Sequence, residues 1–317
     1  MMTKDFQPLH NASSIKATNS LAKHIGVDGS FLENISENIN LHWRKGKTQK
    51  KQDGSLRLTN SGTLALKNIH KKINSKILSK VYYPNYLFGG LKNNPDGTNR
   101  NHVSNAKLHQ GQRLIVSADI DGFFPSVTEP TIKNIWQGFS PFSPEVAALL
   151  TRLTCYQGKL PQGWGNSPYL AQLVSWKTEH ILYEKLLQQD IEYSRYIDDF
   201  TLSTNRTLTK ENLTQLFRRL ATMCMQRGTK LKRKKCKVES KFQHQTINNL
   251  GVDSSRISIS LEYRKNLRAS IHRLNLKKNQ LSPTEYVSER NSLQGKINYI
   301  RKLHPYQASQ LQESLSK

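Results

Sequence analysis

The chain has 317 residues, of which 36% are hydrophobic and 8% aromatic, and it carries 48 Lys and Arg against 23 Asp and Glu. This hydrophobic content is sufficient for a sizeable core, so a folded body with subdomains is predicted and a disordered chain is excluded. The formal net charge of +25 indicates a polyanionic partner, and because no apolar run approaches the roughly 18 residues of a membrane span, a cytoplasmic protein without a membrane partner is expected.

Residues 1–81 are predicted to form an N-terminal, mainly helical region. Its apolar residues recur near helical spacing at Ile25, Leu32, Ile35 and Ile39. The basic, glycine-containing stretch 45–57 indicates a hairpin, and residues 64–81 have the pattern of an amphipathic segment. This region is therefore expected to precede the main sheet of the protein.

Two acidic positions follow strand-like segments in the middle of the chain. Residues 114–119 are apolar and β-branched enough for a short buried strand that ends at Asp119. Later in the chain, Asp198 and Asp199 lie at the tip of a predicted hairpin. An Asp-rich turn by itself is often only a connection between strands. The two strand ends together, with the glycine-containing loop 160–168 between them, predict carboxylates that converge.

Converging carboxylates are the groups that phosphoryl transfer requires. Two divalent ions about 3.5–4 Å apart can hold both the attacking and the leaving oxygen. Magnesium prefers hard oxygen ligands, with manganese as its substitute, and the count is met by Asp119, Asp198 and Asp199. The pattern therefore predicts a nucleotidyl transferase with two Mg²⁺ ions.

The C-terminal part is predicted to be helical and basic. Apolar stripes at helical spacing comprise Leu267, Ile271 and Leu274, and then Leu293, Ile297 and Ile300. Residues 261–317 hold 11 basic and 4 acidic residues, a net charge of 11 − 4 = +7, and six of the eight residues 230–237 are Lys or Arg. These charges favour contact with nucleic-acid phosphates, and an ordinary solvated helical face is the alternative.

The motifs resemble those of the reverse transcriptases, and among them the bacterial retron-type enzymes. Residues 119–127 match the first palm motif, residues 162–168 keep Gln-Gly-x-x-x-Ser-Pro, and residues 196–199 match Tyr-x-Asp-Asp. Residues 105–109 match the Asn-Ala-x-x-His element of the retron group. Residues 248–251 lie where that group usually has Val-Thr-Gly, and of that motif they keep the glycine alone.

The resemblance implies a right-hand polymerase of the α/β (α+β) class. Its parts would be an N-terminal helical and fingers region (1–81), a palm with an RRM-like antiparallel sheet, helices and fingers elements (82–255), and a helical thumb (256–317). Helices are predicted at 144–154, 168–188 and 208–227, and a strand at 256–260.

The resemblance also implies roles for individual residues. The metal ligands would be Asp119, Asp198, Asp199 and the backbone carbonyl of Ile120, and the pyrophosphate leaving group would meet Lys235. The incoming nucleotide would contact Arg57, Phe124, Gln162 and Gly163, with the Phe124 ring excluding a 2′-hydroxyl. RNA would contact Asn105, His109, Lys232, Arg233, Lys234, Gly251, Arg264 and Arg268. Asp121 shares a strand face with Asp119 but occupies a variable position, so it is interpreted as a solvated or RNA-side carboxylate.

The implied activity is RNA-templated DNA synthesis from dNTPs. In the retron type, a dedicated structured noncoding RNA is both primer and template, and the product is an RNA-linked single-stranded DNA, often in defence against phage. The expected partners include an RNA–DNA hybrid, an effector protein and a host RNase H for template removal. Another defence-associated or abortive-infection reverse transcriptase is the close alternative, and a noncatalytic RNA-binding scaffold is a remote one.

Overall fold

The structure is a computed structural model that describes residues 6–11, 13–50, 56–93, 97 and 99–316. The chain divides into two compact units. The first unit comprises Met1–His102 and Val116–Val238, and the second comprises Val103–Ile115 and Glu239–Lys317. This division differs from the expected limits at 81/82 and 255/256, which stay a prediction.

Fourteen α-helices are present in the described part of the chain. They are α1 Thr18–Ile25, α2 Gly29–Glu37, α3 Ile39–His42, α4 Leu64–Lys76, α5 His102–Leu108, α6 Phe123–Ser126, α7 Glu129–Asn134, α8 Pro144–Thr154, α9 Ser167–Leu173, α10 Glu179–Leu187, α11 Lys210–Met225, α12 Leu261–Leu276, α13 Pro283–Arg301 and α14 Pro305–Ser316. Short 3₁₀ helices span Leu78–Lys80 and Arg233–Lys235, and a π-helical turn spans Ile135–Phe139. No helix of the described residues is long and apolar enough to cross a membrane.

Ten strands form three sheets in the described residues. They are β1 Trp43–Lys50, β2 Leu56–Gly62, β3 Leu87–Phe88, β4 Leu114–Asp119, β5 Glu192–Tyr196, β6 Asp199–Thr204, β7 Lys237–Ser240, β8 Thr246–Ile247, β9 Leu250–Gly251 and β10 Ser258–Ile259. The main sheet has the order β3-β5-β6-β4-β7, and the smaller sheets have the orders β1-β2 and β10-β9-β8. The combination of sheets and helices confirms the predicted mixed α/β class.

The hairpin predicted at 45–57 is confirmed by the antiparallel pairing of β1 with β2. The register runs from Trp43 opposite Gly62 to Lys50 opposite Leu56, and it shifts between Lys45 and Thr48. The residues that connect the two strands, 51–55, lie outside the described residues. The hairpin continues directly into α4, whose first turn is capped by the Thr63 side chain.

The acidic hairpin is also confirmed, and a turn of two residues connects its strands. β5 and β6 are antiparallel, and Tyr196 pairs with Asp199, so the turn consists of Ile197 and Asp198 alone. Ile197 has φ +59°, in the left-handed region. Glycine is the usual residue at such a position, and a β-branched residue in a sparsely populated backbone region costs about 1–3 kcal/mol. The surrounding structure must therefore hold this turn in place.

Two of the three predicted helices have close to their expected bounds. α8 coincides with the predicted 144–154, because Ser143 accepts a hydrogen bond from the Val146 amide and Pro144 follows it at the first helical position. α11 begins after Thr209 with a capping box and lies within the predicted 208–227.

The single helix predicted at 168–188 is wrong, because the chain forms α9 and α10 with a turn at 174–178. The Ser175 carbonyl accepts hydrogen bonds from the amides of both Thr178 and Glu179, which closes the turn and restarts the helix at Glu179. Glu179 is 1% exposed, so this break carries a carboxylate into the core.

The second unit has its own hydrophobic core. The predicted stripes of α12 and α13 are confirmed, because all six apolar side chains are buried: Leu267, Ile271, Leu274, Leu293, Ile297 and Ile300. α14, which the sequence pattern did not predict, adds Ala308, Leu311 and Leu315 to this core. The strand expected at 256–260 is limited to Ser258–Ile259, which pairs with β9.

Candidate active site

The ends of two neighbouring strands of the main sheet bring the predicted carboxylates together. Asp119 ends β4, and Asp198 occupies the second position of the β5–β6 turn. The amide of Ile120 donates to the Asp198 carbonyl at 3.0 Å, which ties the two strand ends to each other. Asp119, Ile120 and Asp198 line a cleft of about 950 Å³, whereas Asp199 is not among its lining residues.

The three carboxylates interact electrostatically, although Asp199 does not line the cleft. Burial, together with the negative charges of Asp198 and Asp119, raises the pKa of Asp199 to about 7, while the positive charge of Lys235 opposes this shift. Asp119 is 5% exposed, and its Oδ2 forms an ion pair with Lys235 Nζ. The hydrogen bond that Lys235 donates to Asp119 raises the pKa of Lys235. The strand ends are therefore a partly buried region of excess negative charge, with the Lys235 ammonium group beside Asp119.

The donor set fits a hard divalent cation. The described residues contain no preassembled group of three His, Cys, Asp or Glu side chains at metal-ligand spacing. Asp119 Oδ1, however, is buried and has no hydrogen-bond partner among the described residues, and an unpaired buried carboxylate oxygen is costly. A cation between Asp119 and Asp198 would satisfy this oxygen and relieve the repulsion that acts on Asp199.

Two of the predicted nucleotide residues line the same cleft as Asp119 and Asp198. Phe124 and Gln162 line the cleft, and they also line a smaller adjoining cavity of about 520 Å³ together with Gly163. Gly163 has φ +81°, and a Cβ there would lie 3.0 Å from Thr59 Cβ, so the glycine is required by β2 itself. The backbone of Arg57 belongs to β2, but its side chain lies outside the described residues.

Phe124 lines the cleft, and its role against the sugar of the incoming nucleotide stays a prediction. Its side chain belongs to α6, is 7% exposed, and packs with the Phe123 ring at a centroid distance of 5.8 Å. We expect Phe124→Val to raise ribonucleotide incorporation relative to deoxyribonucleotides by roughly 10–200-fold, because the wall against a 2′-hydroxyl is removed. Single-nucleotide extension with each nucleotide type measures the ratio. An active variant that still rejects ribonucleotides would transfer the filter to another residue, with Phe123 the next to test.

Two features of this cleft were not predicted from the sequence. The first is Lys45, an exposed residue of β1 that lines the same cleft as Asp119 and Asp198. Its position at the start of the basic stretch 45–57 was the available sequence signal. The second feature is the anchoring of the 162–168 loop to α4 through His70. Trp164 Nε1 donates to His70 Nδ1, and His70 Nε2 donates to the Leu153 carbonyl at 2.7 Å.

His70 makes the stability of the protein sensitive to acid. Burial lowers its pKa from 6.5 to about 4, so the folded state binds this proton less readily than the unfolded state. The contribution is fully present above pH 6.5 and is lost as the pH falls toward 4. We expect His70→Gln to lower the slope of the free energy of unfolding against pH between pH 6.5 and about 4, by the equivalent of up to one bound proton. Urea unfolding at several pH values measures this slope, and an unchanged slope would contradict the neutral, buried histidine.

The predicted RNA-binding cations have different environments. Arg233 and Lys234 are exposed on the 3₁₀ helix, Lys232 lines the cleft, and Arg268 is exposed on α12. Arg264 is half-buried and already donates within the second unit, to the Ile259 carbonyl and to Gln307 Oε1 at 2.6 Å. Arg233, Lys234 and Arg268 are thus exposed where phosphates could reach them, whereas Arg264 would have to exchange an existing partner.

Direct RNA contact does not fit the other three predicted residues, and these predictions are corrected. Asn105 and His109 are 0% exposed, and Gly251 is buried where a Cβ would lie 2.6 Å from Ser258 Oγ. Asn105 Nδ2 donates to Asn248 Oδ1 at 2.7 Å, at the start of the two-residue β8–β9 turn, where both central residues have positive φ. Asn105 therefore contacts this turn through a hydrogen bond, and Gly251 follows the turn at a position with no room for a side chain.

Comparisons with known proteins agree with this arrangement. A family model described as reverse transcriptase (RNA-dependent DNA polymerase) matches residues 49–254. The chain is 27% identical to a retron Se72 reverse transcriptase of Salmonella heidelberg (strain 579083-10), over 98% of this chain and 82% of the relative. It is 24% identical to a retron Ec48 reverse transcriptase of Escherichia coli, over 95% of this chain and 76% of the relative.

Among solved structures, a telomerase from Candida albicans in complex with a fragment of telomeric RNA matches 90% of this chain and 66% of that chain. Its TM-score is 0.44 and its identity 11%, values too low to add support. The family match covers more than half of the chain, and it includes both strand ends with their aspartates. The chain therefore belongs to the reverse transcriptase family, resembles its bacterial retron type, and is an RNA-directed DNA polymerase with a right-hand polymerase fold.

Proposed function

We propose that this polymerase copies one dedicated structured noncoding RNA, which also supplies the priming hydroxyl, into an RNA-linked single-stranded DNA. The observation that carries the proposal is the similarity to retron reverse transcriptases along 98% of the chain, beyond the limits of the polymerase family model. Contact between Asn105 and Asn248 supports it, because Asn105 belongs to the Asn-Ala-x-x-His segment and Asn248 begins the segment that lies where the retron group usually has Val-Thr-Gly.

The predicted site residues have the following roles in this proposal. Asp119, Asp198 and Asp199 hold two Mg²⁺ ions, or Mn²⁺ in their place, with the Ile120 carbonyl as a further oxygen. The bound ions neutralise the charge that develops on the transferred phosphoryl group. Phe124 excludes the 2′-hydroxyl, Gln162 and Gly163 border the incoming nucleotide, and Lys235 meets the leaving pyrophosphate. The exposed cations of residues 232–234 hold RNA phosphates.

Sequencing the nucleic acid that co-purifies with the protein tests the proposal. We expect one RNA species joined to a DNA copied from it, and we expect the DNA, but not the RNA, to be missing when Asp198→Asn is purified in the same way. A structured RNA encoded directly beside the gene would agree with this result. Many unrelated RNAs, or DNA without an RNA link, would instead indicate the other defence-associated class of reverse transcriptase.

A role in defence against phage, with an effector protein as partner and host RNase H for template removal, completes the proposal. The cytoplasm is its proposed location, as expected from the sequence. Plaque assays with the gene and its flanking DNA test the defence role. We expect protection that is lost with Asp198→Asn, and equal plaque numbers with and without the intact gene would contradict it.

A further inference from the structure

A buried ion pair lies below the Tyr-Ile-Asp-Asp turn, and none of the roles above accounts for it. Arg195 of β5 and Glu179 of α10 are 2% and 1% exposed. Arg195 Nε and Nη2 lie 2.6 and 2.7 Å from the two carboxylate oxygens of Glu179, which is a bidentate arrangement. The Tyr193 hydroxyl also donates to this carboxylate at 2.6 Å. The guanidinium is thereby fixed in one orientation.

The remaining donors of Arg195 point to the turn and its support. Nη1 donates to the Ile197 carbonyl at 2.7 Å, and Nη2 donates to the Gln172 carbonyl at 3.0 Å. The Ile197 amide donates to the Phe88 carbonyl at 3.1 Å, and this carbonyl also accepts from Gln172 Nε2 at 2.6 Å. Both polar groups of the left-handed residue Ile197 are therefore held by buried partners.

This support reaches the neighbouring carboxylate through the backbone. The Ile197 carbonyl belongs to the peptide group that includes the Asp198 amide, so the guanidinium sets the plane of that group. The carbonyl of Asp198 accepts from the Ile120 amide at 3.0 Å. Asp198 is thus fixed on both sides, by Arg195 before it and by the end of β4 after it. The backbone of Asp198 is therefore held at the position from which the residue lines the cleft.

We propose that Arg195, oriented by Glu179, is a positioning residue that holds the left-handed turn and thereby aims Asp198 at a divalent ion. The inference rests on the proposed role of Asp198 as a metal ligand. A merely structural ion pair would affect the stability of the fold and leave metal affinity unchanged. A positioning residue would lower metal affinity in a protein that is still folded.

The test combines direct metal binding with catalysis. Glu179→Gln/Arg195→Met removes both charges, so no unpaired charge stays buried. Arg195→Lys keeps the charge but lacks the planar fork that reaches Glu179 and Ile197 together. We expect both variants to bind Mn²⁺ about tenfold more weakly, measured by electron paramagnetic resonance, and to need about tenfold more Mg²⁺ for half-maximal extension of a primed RNA template. RNA affinity and the KM for dNTPs should change less than twofold.

Tyr193→Phe is the matched control. It removes a buried hydrogen bond to Glu179 but leaves the contacts of Arg195 to Glu179 and Ile197 in place. We expect some loss of thermal stability with wild-type Mn²⁺ binding. Ile197→Gly provides a rescue, because glycine adopts the left-handed conformation without strain. Added to the double variant, it should recover part of the lost Mn²⁺ affinity.

The outcomes separate the positioning role from the metal assignment. If Asp198→Asn binds Mn²⁺ as well as the wild type does, Asp198 is not a ligand and the inference fails with it. If Asp198→Asn loses Mn²⁺ while the folded double variant and Arg195→Lys keep wild-type affinity, the positioning role alone is overturned. Equal weakening by Tyr193→Phe, or no recovery with Ile197→Gly, would also overturn it. Should the double variant fail to fold in a thermal melt, Arg195→Lys decides.

Discussion

Asp198→Asn is expected to reduce magnesium-dependent incorporation on a primed RNA template by at least about 10³-fold, because the loss of one carboxylate removes charge that must hold the ions of phosphoryl transfer. The protein should remain folded, since Asp198 is held through its backbone carbonyl by the Ile120 amide and asparagine keeps that contact. Single-turnover extension measures the rate, and a thermal melt monitors the fold.

Asp119→Asn should have an equally large effect, and Asp121→Asn is its matched control. Asp119 is buried with one oxygen unpaired, whereas Asp121 is exposed two residues later. We expect the Asp121 variant to retain most of the activity. Equal loss at the two positions would refute the choice between these carboxylates, and extension at the wild-type rate by Asp198→Asn would refute the metal assignment.

Lys235→Ala is expected to slow single-turnover incorporation by about 10² or more, the usual contribution of a positioned general acid, with nearly unchanged RNA affinity. Lys235 belongs to the dense basic stretch 230–237 and forms an ion pair with Asp119. Its side chain is 53% exposed, so it can exchange Asp119 for a pyrophosphate oxygen. Lys235→Arg keeps the positive charge but cannot give up a proton, so it separates neutralisation from protonation.

Neutralising Lys232 and Arg233 together provides the contrast to Lys235→Ala. Each lost phosphate contact should weaken RNA binding and flatten the dependence of log affinity on log salt by somewhat less than one unit. The catalytic rate at saturating RNA should change little. Salt titrations and single-turnover rates measure the two effects, and the reverse assignment, or no separation, would contradict the division of roles within this stretch.

Local sequence signals account for the elements that the sequence analysis predicted well. The α8 helix begins at a Ser-Pro capping signal, and the buried stripes of α12 and α13 follow the helical period, so both are visible within a short window. The acidic hairpin is predictable because strand-like residues flank its turn on both sides. The aspartates were predicted as metal ligands for a chemical reason, since phosphoryl transfer restricts the residue types that can hold its ions.

Contacts between distant elements account for what the sequence analysis missed. The burial of Asn105 and His109 argues against their expected contact with RNA. This burial depends on packing within the second unit, which no local sequence pattern indicates. The break between α9 and α10 is invisible in a periodic apolar run, because the turn at 174–178 is closed by backbone hydrogen bonds. Glu179, at the start of α10, lies opposite Arg195 of another element.

Residue types at short and fixed spacing were sufficient to identify the polymerase family and to predict the carboxylates and the basic stretches. The way in which the carboxylates are held depends instead on contacts across the fold. Ile197 carries no glycine-like signal for its left-handed backbone, and the arginine that stabilises it is fixed by a glutamate from another element. Such support arises from hydrogen bonds made across the core, and their partners become neighbours only when the chain folds.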